Sequence, residues 1–318
     1  MKDLSKAAVK LVEIGEAATG QRVDNFLLRL CKGVPKSHVY RILRSGEVRV
    51  NSGRVDATYR LKEGDKVRIP PLRLGDRAPA AKVPSTELPI VFEDEGLLAI
   101  AKPAGLAVHG GSGVSFGVIE QLRAARPQAK FLELVHRIDR ETSGLLLLAK
   151  KRSVLVALHE TIRAGKMDKR YLTLVQGPWK GGKRHVKLAL QRYVSREGER
   201  RVSVDEAGED GRESHTVFDL ERACGPYSLL QAQLKTGRTH QIRVHLAHLG
   251  FPILGDDKYG DFDLNKRLAK QGLKRMFLHA WKLSLANPLS DEPLRLEAPL
   301  PPELRSFIDK SIARDQAL

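Results

Sequence analysis

The 318-residue chain has only two cysteines, Cys31 and Cys224, and no long apolar run. Two cysteines exclude a disulfide framework and a cysteine-rich zinc site, and they fit a reducing cytoplasm. No segment supplies the roughly 20 apolar residues that span a bilayer, and the first ten residues lack the apolar core of a signal peptide. The sequence therefore predicts a soluble cytoplasmic protein without a membrane partner, and nothing in it demands a second subunit, so we expect a monomer.

What the chain has in excess is positive charge. Lys and Arg number 55 against 38 Asp and Glu, which gives a formal net charge of +17. Residues 20–77 alone hold 14 Lys and Arg against 6 Asp and Glu, so nearly half of the surplus lies in one short segment. A basic surface can simply be solvated, but its concentration here favours a polyanionic partner such as RNA.

Residues 20–72 have the pattern of a small α+β domain. Apolar residues at helical spacing begin at Val23, and a second helix is predicted from Ser37 as its N-cap to Gly46 as its stop. Short strands follow at residues 47–50 and 66–69. The segment resembles an S4-type RNA-binding domain; the alternative is a small fold whose arginines are merely solvated. The resemblance implies RNA contacts by four exposed cations: Lys36, Arg41, Arg44 and Arg49.

Prolines mark the boundary to a second, larger domain. Five of the sixteen prolines fall within residues 70–89, which favours a semi-extended linker at residues 73–87. In residues 88–305, apolar strand-like segments alternate irregularly with helices, so we expect an α+β domain with a mixed, mostly antiparallel sheet. Residues 1–19 are expected to form a flexible N-terminal segment, and residues 306–318 a C-terminal tail.

Apparent cofactor motifs in the chain are incomplete. Residues 177–183 match most of a phosphate-binding P-loop, but Arg184 stands where a hydroxyl would hold magnesium, so we interpret the segment as a hairpin turn. His240, His245 and His248 lack the HExxH pattern or a carboxylate at ligand spacing. The chain also lacks a glycine-rich turn followed by the acidic strand end of a nucleotide-binding fold. We therefore expect no metal and no cofactor.

The strongest signal is the segment LVHRIDRETSG at residues 134–144, directly before the apolar run LLLLAK. It places Asp139 between Arg137 and Arg140, in a loop that enters a buried strand. Flanking cations favour the ionised form of a carboxylate. This arrangement suits a catalytic carboxylate, although residue chemistry alone fits a surface ion pair beside a turn equally well.

Four motifs, in order, resemble those of the RluA-type pseudouridine synthases. The HRIDRETSG segment is similar to the family's catalytic HRLDxxTSG, with Ile138 in place of Leu. KPAG is similar to the first motif, with Ala104 in place of the usual Ser. KRY at residues 169–171 and TGRTHQIRVH at residues 236–245 are similar to the second and third motifs, and PILGD at residues 252–256 continues the third. With the S4-like domain, the resemblance spans about residues 20–300.

The resemblance implies an isomerase that detaches uracil from C1′ of a uridine in RNA and rejoins it through C5, without metal or cofactor. It implies that Asp139 is the catalytic carboxylate, either as a nucleophile or as the group that abstracts a ribose proton. Arg243 is the implied ion-pair partner of Asp139. Tyr171 is implied to stack on the base, and Ile242 to pack against it.

The resemblance also implies how RNA is held. The target base must leave the RNA stack, and Arg137 is expected to enter the vacated space. Arg238 and His240 are expected to contact RNA. The expected substrate is 23S ribosomal RNA of the large subunit. One alternative is a synthase acting on transfer RNA; another is a non-catalytic RNA-binding or ribosome-assembly factor, which the intact set of catalytic residues argues against.

Overall fold

The computed structural model describes residues 9–31, 33–72, 83–111, 114–196, 198–208 and 210–315. The chain forms two compact units, Met1–Val83 and Pro84–Leu318, so the division falls within the region of the predicted linker. Of that linker, residues 73–82 lie outside the described residues. In the ranges that the structure describes, no helix is both long and apolar enough to cross a membrane.

In the first unit, two helices share an apolar core with a three-stranded antiparallel sheet of strand order β1-β3-β2. The elements are β1 (Lys10–Glu13), a 3-10 helix (Glu16–Ala18), α1 (Val23–Leu30), α2 (Lys36–Arg44), β2 (Arg49–Val50) and β3 (Lys66–Ile69). The predicted helix from Val23 is confirmed, because Val23, Phe26 and Leu27 form its buried face.

Two details of this unit correct the sequence analysis. Helix α2 begins at Lys36 after Pro35, so Ser37 lies inside the helix and is not its N-cap. Proline's fixed φ is compatible with entry into a helix, and it has no N–H to satisfy there. The expectation of a flexible segment over residues 1–19 is wrong for Lys10–Glu13, which pairs with β3. A four-residue strand that pairs with a segment so far along the chain has little local signal.

The second unit is built on one sheet, which has eleven strands within the described residues. Its elements in chain order are β4 (Ile90–Glu93), β5 (Leu97–Lys102), α3 (Val118–Ala125), β6 (Glu133–Leu134), β7 (Ser143–Ala149), α4 (Arg152–Arg163), β8 (Asp168–Gln176), β9 (Arg184–Val194), β10 (Arg200–Val204), β11 (Arg212–Cys224), β12 (Tyr227–Leu234), α5 (Gln241–His248), α6 (Phe262–Lys270), β13 (Leu278–Ala286), β14 (Pro293–Glu297) and α7 (Pro302–Asp315).

The strand order is β10-β9-β11-β12-β8-β13-β7-β5-β4, with β14 on β13 and β6 on β7. Among these pairs only β13 and β7 run parallel, so the predicted mixed, mostly antiparallel sheet is confirmed. The interpretation of residues 177–183 as a hairpin turn is wrong, because β11 and β12 lie between β8 and β9. The segment is instead a connection that passes two strands.

The C-terminal residues also differ from the prediction. Helix α7 (Pro302–Asp315) occupies most of the expected tail at residues 306–318. Leu304, Phe307 and Ile308 are buried in the core of the second unit. Their i, i+3, i+4 spacing is that of an amphipathic helix, and burial of this stripe holds the segment on the domain.

Candidate active site

Asp139 lies in the short loop that leads into β7, and its side chain is 25% exposed. The Thr142 N–H closes the turn by donating to the Asp139 carbonyl over 3.2 Å. Near the start of β7, Gly144 has φ +106°, and a Cβ there would collide with the Ala280 carbonyl of β13. Glycine alone tolerates both this φ and so close an approach of the Ala280 carbonyl. The pairing of β7 with β13 at Gly144 therefore fixes the position at which the Asp139 loop ends.

Lys102 connects the Asp139 loop to the loop after β5. Its side chain is buried, and Nζ donates to the carbonyls of Pro103 (2.7 Å), Leu106 (2.8 Å) and Arg140 (2.9 Å). Burial lowers the pKa of Lys102 to about 7. Three acceptors match the three N–H donors of an ammonium group. Lys102 therefore clamps the backbone directly beside Asp139.

Arg243, in α5, joins Asp139 to two further carboxylates. Its Nη1 lies 3.6 Å from Asp139 Oδ2. Nε and Nη2 donate to the two oxygens of Asp256 over 2.7 and 2.6 Å, and Nη2 also reaches Asp257 at 3.2 Å. Burial lowers the pKa of Arg243, but the hydrogen bonds and charge of Asp256 outweigh burial and raise the pKa overall. Arg243 is thus a fixed cation that faces Asp139.

Tyr171, on β8, and Ile242, on α5, supply apolar surface beside the carboxylate. Both side chains are buried. Burial, with a smaller contribution from the charge of Asp139, raises the pKa of Tyr171 above its ordinary value, so the phenol stays protonated at neutral pH. An aromatic ring next to a branched aliphatic side chain offers a stacking surface for a planar base.

These side chains line one cavity of about 680 Å³, a volume within the range of small-molecule sites, about 300–1,000 Å³. The structure therefore brings together every site residue that was predicted in the second unit. They are Asp139, Tyr171, Arg243, Ile242, Arg137, Arg238 and His240.

Two arginines meet at the rim of the cavity. Thr239 Oγ1 accepts a hydrogen bond from Arg137 Nη2 at 3.3 Å and from Arg192 Nη2 at 2.8 Å. Arg137 is exposed and lines the cavity, whereas Arg192 comes from β9, outside the recognised motifs. Sequence reasoning missed Arg192, since its nearest signal is an ordinary charged residue in a strand.

Two other basic groups in the cavity wall have pKa values that burial lowers. Burial lowers the pKa of His240, and its Nδ1 lies 2.8 Å from the Tyr259 hydroxyl. Burial also lowers the pKa of Lys169, which lines the cavity. Lys169 forms no ion pair with any residue that the structure describes, so its donor is available to a ligand.

Two further histidines of this region hold structural hydrogen bonds. The Leu147 N–H donates to His136 Nε2 over 3.1 Å, and burial lowers the pKa of His136 to about 3. His245 Nε2 lies 2.7 Å from Ser214 Oγ, and burial lowers the pKa of His245 to about 4. In the part of the chain that the structure describes, no three His, Cys, Asp or Glu side chains form a group that could hold a metal ion.

The four cations predicted in the first unit lie on its surface, three on α2 and one on β2. They are Lys36, Arg41, Arg44 and Arg49. Arg41 Nη1 is 3.3 Å from Glu47, and Arg49 donates to two backbone carbonyls. Lys36 and Arg44 form no ion pair with any other described residue, so their charges face solvent.

Comparisons with known proteins show the same architecture. A family model described as RNA pseudouridylate synthase matches residues 96–248, and one described as S4 domain matches residues 21–67. Two relatives are named ribosomal large subunit pseudouridine synthase C. That of Pasteurella multocida is 50% identical over 307 residues, covering 95% of this chain and 93% of the relative. That of Escherichia coli strain K12 is 48% identical over 311 residues, covering 95% and 97%. The chain belongs to the RNA pseudouridylate synthase family.

Solved structures of the pseudouridylate synthase family have the same fold. Human RNA pseudouridylate synthase domain containing 4 aligns with a TM-score of 0.57 at 25% identity, covering 72% of this chain and 93% of that one. Human RNA pseudouridylate synthase domain containing 1 aligns at 0.58 and 24% identity, covering 73% and 96%. The resemblance to the synthase family and to the S4 domain, inferred from motifs, is confirmed.

The partners of two charged residues in the synthase motifs are seen only in the structure. Lys102 and Asp256 lie within segments that the sequence analysis recognised, yet the sequence alone suggests no partner for either. The sequence signal for Lys102 is that a charged residue ends the apolar run LLAIAK, whereas Asp256 is followed by Asp257 and Lys258 and has no such signal. Lys102 holds the backbone at Arg140, and Asp256 holds the guanidinium of Arg243.

Proposed function

We propose that the chain converts specific uridines of large-subunit 23S ribosomal RNA to pseudouridine, with Asp139 as the catalytic carboxylate and no cofactor. The names of relatives that match over nearly their whole length support the substrate. The observation that carries the chemistry is the convergence of Asp139, Arg243 and Tyr171 on one cavity, with Asp139 and Arg243 3.6 Å apart.

The reaction breaks the N1–C1′ bond of uridine, turns the uracil and forms a C5–C1′ bond. C5 loses its proton and N1 gains one, so the product is an isomer, and no oxidant or reductant is consumed. Two routes fit the site: the Asp139 carboxylate attacks C1′, or it removes a ribose proton. In both routes, the Arg243 guanidinium faces the carboxylate and keeps it in a fixed direction.

Tyr171 and Ile242 hold the uracil while it is detached. The Tyr171 ring stacks on the base, and Ile242 packs against that ring. Because the raised pKa of Tyr171 keeps the phenol neutral, its hydroxyl enters the C5 step as a hydrogen-bonding group and not as a standing phenolate. The buried side chains of Tyr171 and Ile242 also exclude water from one side of the reactive sugar carbon, which would otherwise be hydrolysed.

Arg137, Arg238 and His240 bind the RNA around the flipped nucleotide. Extruding a base costs a few kcal/mol, and the exposed Arg137 on the rim fills the vacated stack. A planar guanidinium can stack and donate hydrogen bonds at once, which an ammonium does poorly. The exposed cations of α2 and β2 add contacts to RNA phosphates, and the chain acts as a monomer in the cytoplasm.

Tritium release from 5-tritiated uridine in RNA tests this function, because formation of the C5–C1′ bond frees the C5 hydrogen, and without an added methyl donor C5 methylation does not compete. The protein is expected to release tritium from 23S RNA without any added cofactor. Asp139→Asn is expected to release none while binding RNA with unchanged affinity. Glu141→Gln is the matched control: it removes a carboxylate from the same loop, where Glu141 pairs with Arg140 at 3.4 Å, and should keep turnover.

Other results would change the proposal in distinct ways. Turnover by Asp139→Asn would remove Asp139 from the mechanism. Tight RNA binding without tritium release by the unmodified protein would indicate a non-catalytic RNA-binding factor. Release from transfer RNA but not from 23S RNA would reassign the substrate and leave the chemistry intact.

A further inference from the structure

The β9–β10 hairpin forms the outer edge of the large sheet. The two strands are antiparallel, with Arg192 opposite Val202 and Val194 opposite Arg200. Tyr193 and Val194, at the end of β9, are 43% and 65% exposed. Because successive residues of a strand point to opposite faces, both faces of the hairpin are open to solvent at this end.

The base of this hairpin is firmly attached next to the catalytic groups. Val202 packs with Leu190 and with Val244 of α5. The Val202 N–H donates to the Tyr259 hydroxyl over 3.0 Å, and Arg201 Nη1 donates to the Lys258 carbonyl over 3.3 Å. The loop that receives these bonds also contains Asp256, the partner of Arg243. The hairpin is therefore fixed relative to the cavity.

The free end of the hairpin is strongly basic. Arg192, Arg196 and Arg200 are exposed. Glu199, the acidic residue described near the tip, is already bound by Arg201 and Lys258, each at 3.2 Å. The side chains of Arg196 and Arg200 form neither an ion pair nor a hydrogen bond with the residues that the structure describes. Their charge is available to an external anion.

The face of the hairpin on which these cations lie links them to the cavity. Cross-strand partners lie on the same side of a sheet, and residues two apart in a strand share a face. Arg192, Val194 and Arg200 therefore share the face on which Val202 packs against α5. Arg192 bonds Thr239 at the cavity rim, so the row of cations starts at the rim. Arg200, opposite Val194, carries the row two residues, roughly 7 Å, beyond Arg192, and the exposed Arg196 lies in the turn that follows β9.

We propose that the β9–β10 hairpin is an RNA-binding arm, in which Arg196 and Arg200 contact backbone phosphates of the strand that enters the cavity. The proposal rests on the proposed function and extends it to nucleotides that flank the target uridine. A row of unpaired guanidinium groups leading into a nucleoside-sized cavity matches the spaced anions of a polynucleotide. An acidic protein would also bind such cations, but it would not explain why the row leads to the rim.

Equilibrium binding of a 23S RNA fragment at several salt concentrations tests the arm. The test variant is Arg196→Gln with Arg200→Gln. Each phosphate contact contributes about 0.7–0.9 to the slope of log affinity against log salt, so the slope should fall in magnitude by about 1.4–1.8. By the same relation, the affinity at 0.1 M salt should fall by about tenfold or more.

The matched control is Arg222→Gln with Arg305→Gln, two exposed arginines of the same unit on the far end of β11 and on α7. It removes the same net charge and should leave the slope and the affinity unchanged. Arg196→Lys with Arg200→Lys should restore the slope, because a phosphate accepts either cation. Unaltered thermal unfolding of each variant shows that the hairpin itself is intact.

An unchanged slope in the Gln variant would overturn the arm, as would an equal loss in the control variant or failure of the Lys variant to restore binding. These outcomes are separate from failure of the proposed function. Binding is measured without turnover, so absence of tritium release by the unmodified protein would overturn the function while the binding slopes still decide the role of the arm.

Discussion

The Asp256 carboxylate accepts hydrogen bonds from Nε and Nη2 of Arg243, which leaves Nη1 to face Asp139. This bidentate pair is almost completely buried, with side-chain exposures of 3% for Arg243 and 1% for Asp256. Burial raises the pKa of Asp256, but the bonds from Arg243 outweigh it and lower the pKa overall. The direction in which Arg243 points is thus set by a residue outside the reaction.

Asp256→Asn should therefore damage both stability and turnover. An amide offers one acceptor oxygen and no negative charge, which leaves a buried guanidinium incompletely paired. Breaking a buried pair costs about 3–5 kcal/mol, and a misdirected catalytic group costs roughly 100-fold in rate. Denaturant unfolding and the rate of tritium release at saturating RNA measure the two effects.

Asp257→Asn is the control for this pair, since Asp257 also contacts Arg243 at 3.2 Å but its side chain is 65% exposed. A solvent-exposed pair is worth about 0–1 kcal/mol. Equal effects of the two substitutions would contradict the assignment of Asp256 as the residue that positions Arg243.

Lys102→Met should loosen the Asp139 loop. Methionine has a similar length but no donors, so the carbonyls of Pro103, Leu106 and Arg140 lose their shared partner. A buried unsatisfied polar group costs about 1–3 kcal/mol, and we expect unfolding to become easier by about 3–5 kcal/mol in total. The maximal rate of tritium release should fall more than the affinity for RNA, because the substitution moves the carboxylate and leaves the rim untouched.

Lys151→Met provides the comparison for Lys102. Lys151 pairs with Glu95 at 3.1 Å, and both side chains are exposed. We expect a change below about 1 kcal/mol and full activity. A stable and fully active Lys102→Met protein would show that the three carbonyl bonds do not hold the loop.

His245 should make the protein sensitive to acid. Burial lowers the pKa of His245 to about 4, whereas the unfolded chain binds this proton near pH 6.5. Between these values the unfolded state carries more protons, so stability is lost as the pH falls from about 6.5 to about 4. One pKa unit corresponds to about 1.4 kcal/mol, which gives a loss on the order of 3 kcal/mol from this residue.

His245→Gln should reduce that pH dependence. The Gln side-chain amide can still donate to Ser214 Oγ, which itself donates to the Leu188 carbonyl over 2.6 Å, but it does not titrate. Unfolding free energies at pH 7 and pH 4.5 should differ less in the variant than in the unmodified protein. His248→Gln, an exposed neighbour on α5, should leave the difference as it is. If both substitutions behave alike, burial of His245 is not the cause.

Arg44→Gln should weaken RNA binding through one phosphate contact. Arg44 is exposed on α2, and we expect the salt slope to fall in magnitude by about 0.7–0.9. Arg41→Gln should have a smaller effect, since Arg41 already pairs with Glu47. The control is Lys62→Gln, an exposed cation in the turn before β3. Identical slopes for Arg44→Gln and the unmodified protein would mean that the cations of α2 are only solvated.

The parts of the site that could be predicted from the sequence carry their signal locally. Asp139 lies between arginines in one segment, and Tyr171 and Arg243 lie in their own short motifs. Helix α1 was equally readable, because its apolar residues repeat within two turns. In each case the residues that form the identifying pattern lie close together in the sequence.

The remaining parts depend on contacts between distant segments. Arg192 and Thr239 are 47 residues apart, and they meet only because of where β9 and α5 lie in the fold. The bond between Asp256 and Arg243 depends in the same way on the path of the chain after α5. Helix α7 is a different case: its apolar spacing is visible in the sequence, and the prediction of a tail there is wrong.

The position of β13 in the sheet has a consequence for protein synthesis. It lies between β7 and β8, although it follows β8 by more than a hundred residues. Until that strand leaves the ribosome, the segments bearing Asp139 and Tyr171 lack their common neighbour. At about 5–20 residues per second, the wait is roughly 5–20 s. We therefore expect a nascent chain stalled before residue 278 to lack activity, however complete its motifs, because β7 and β8 have no strand between them.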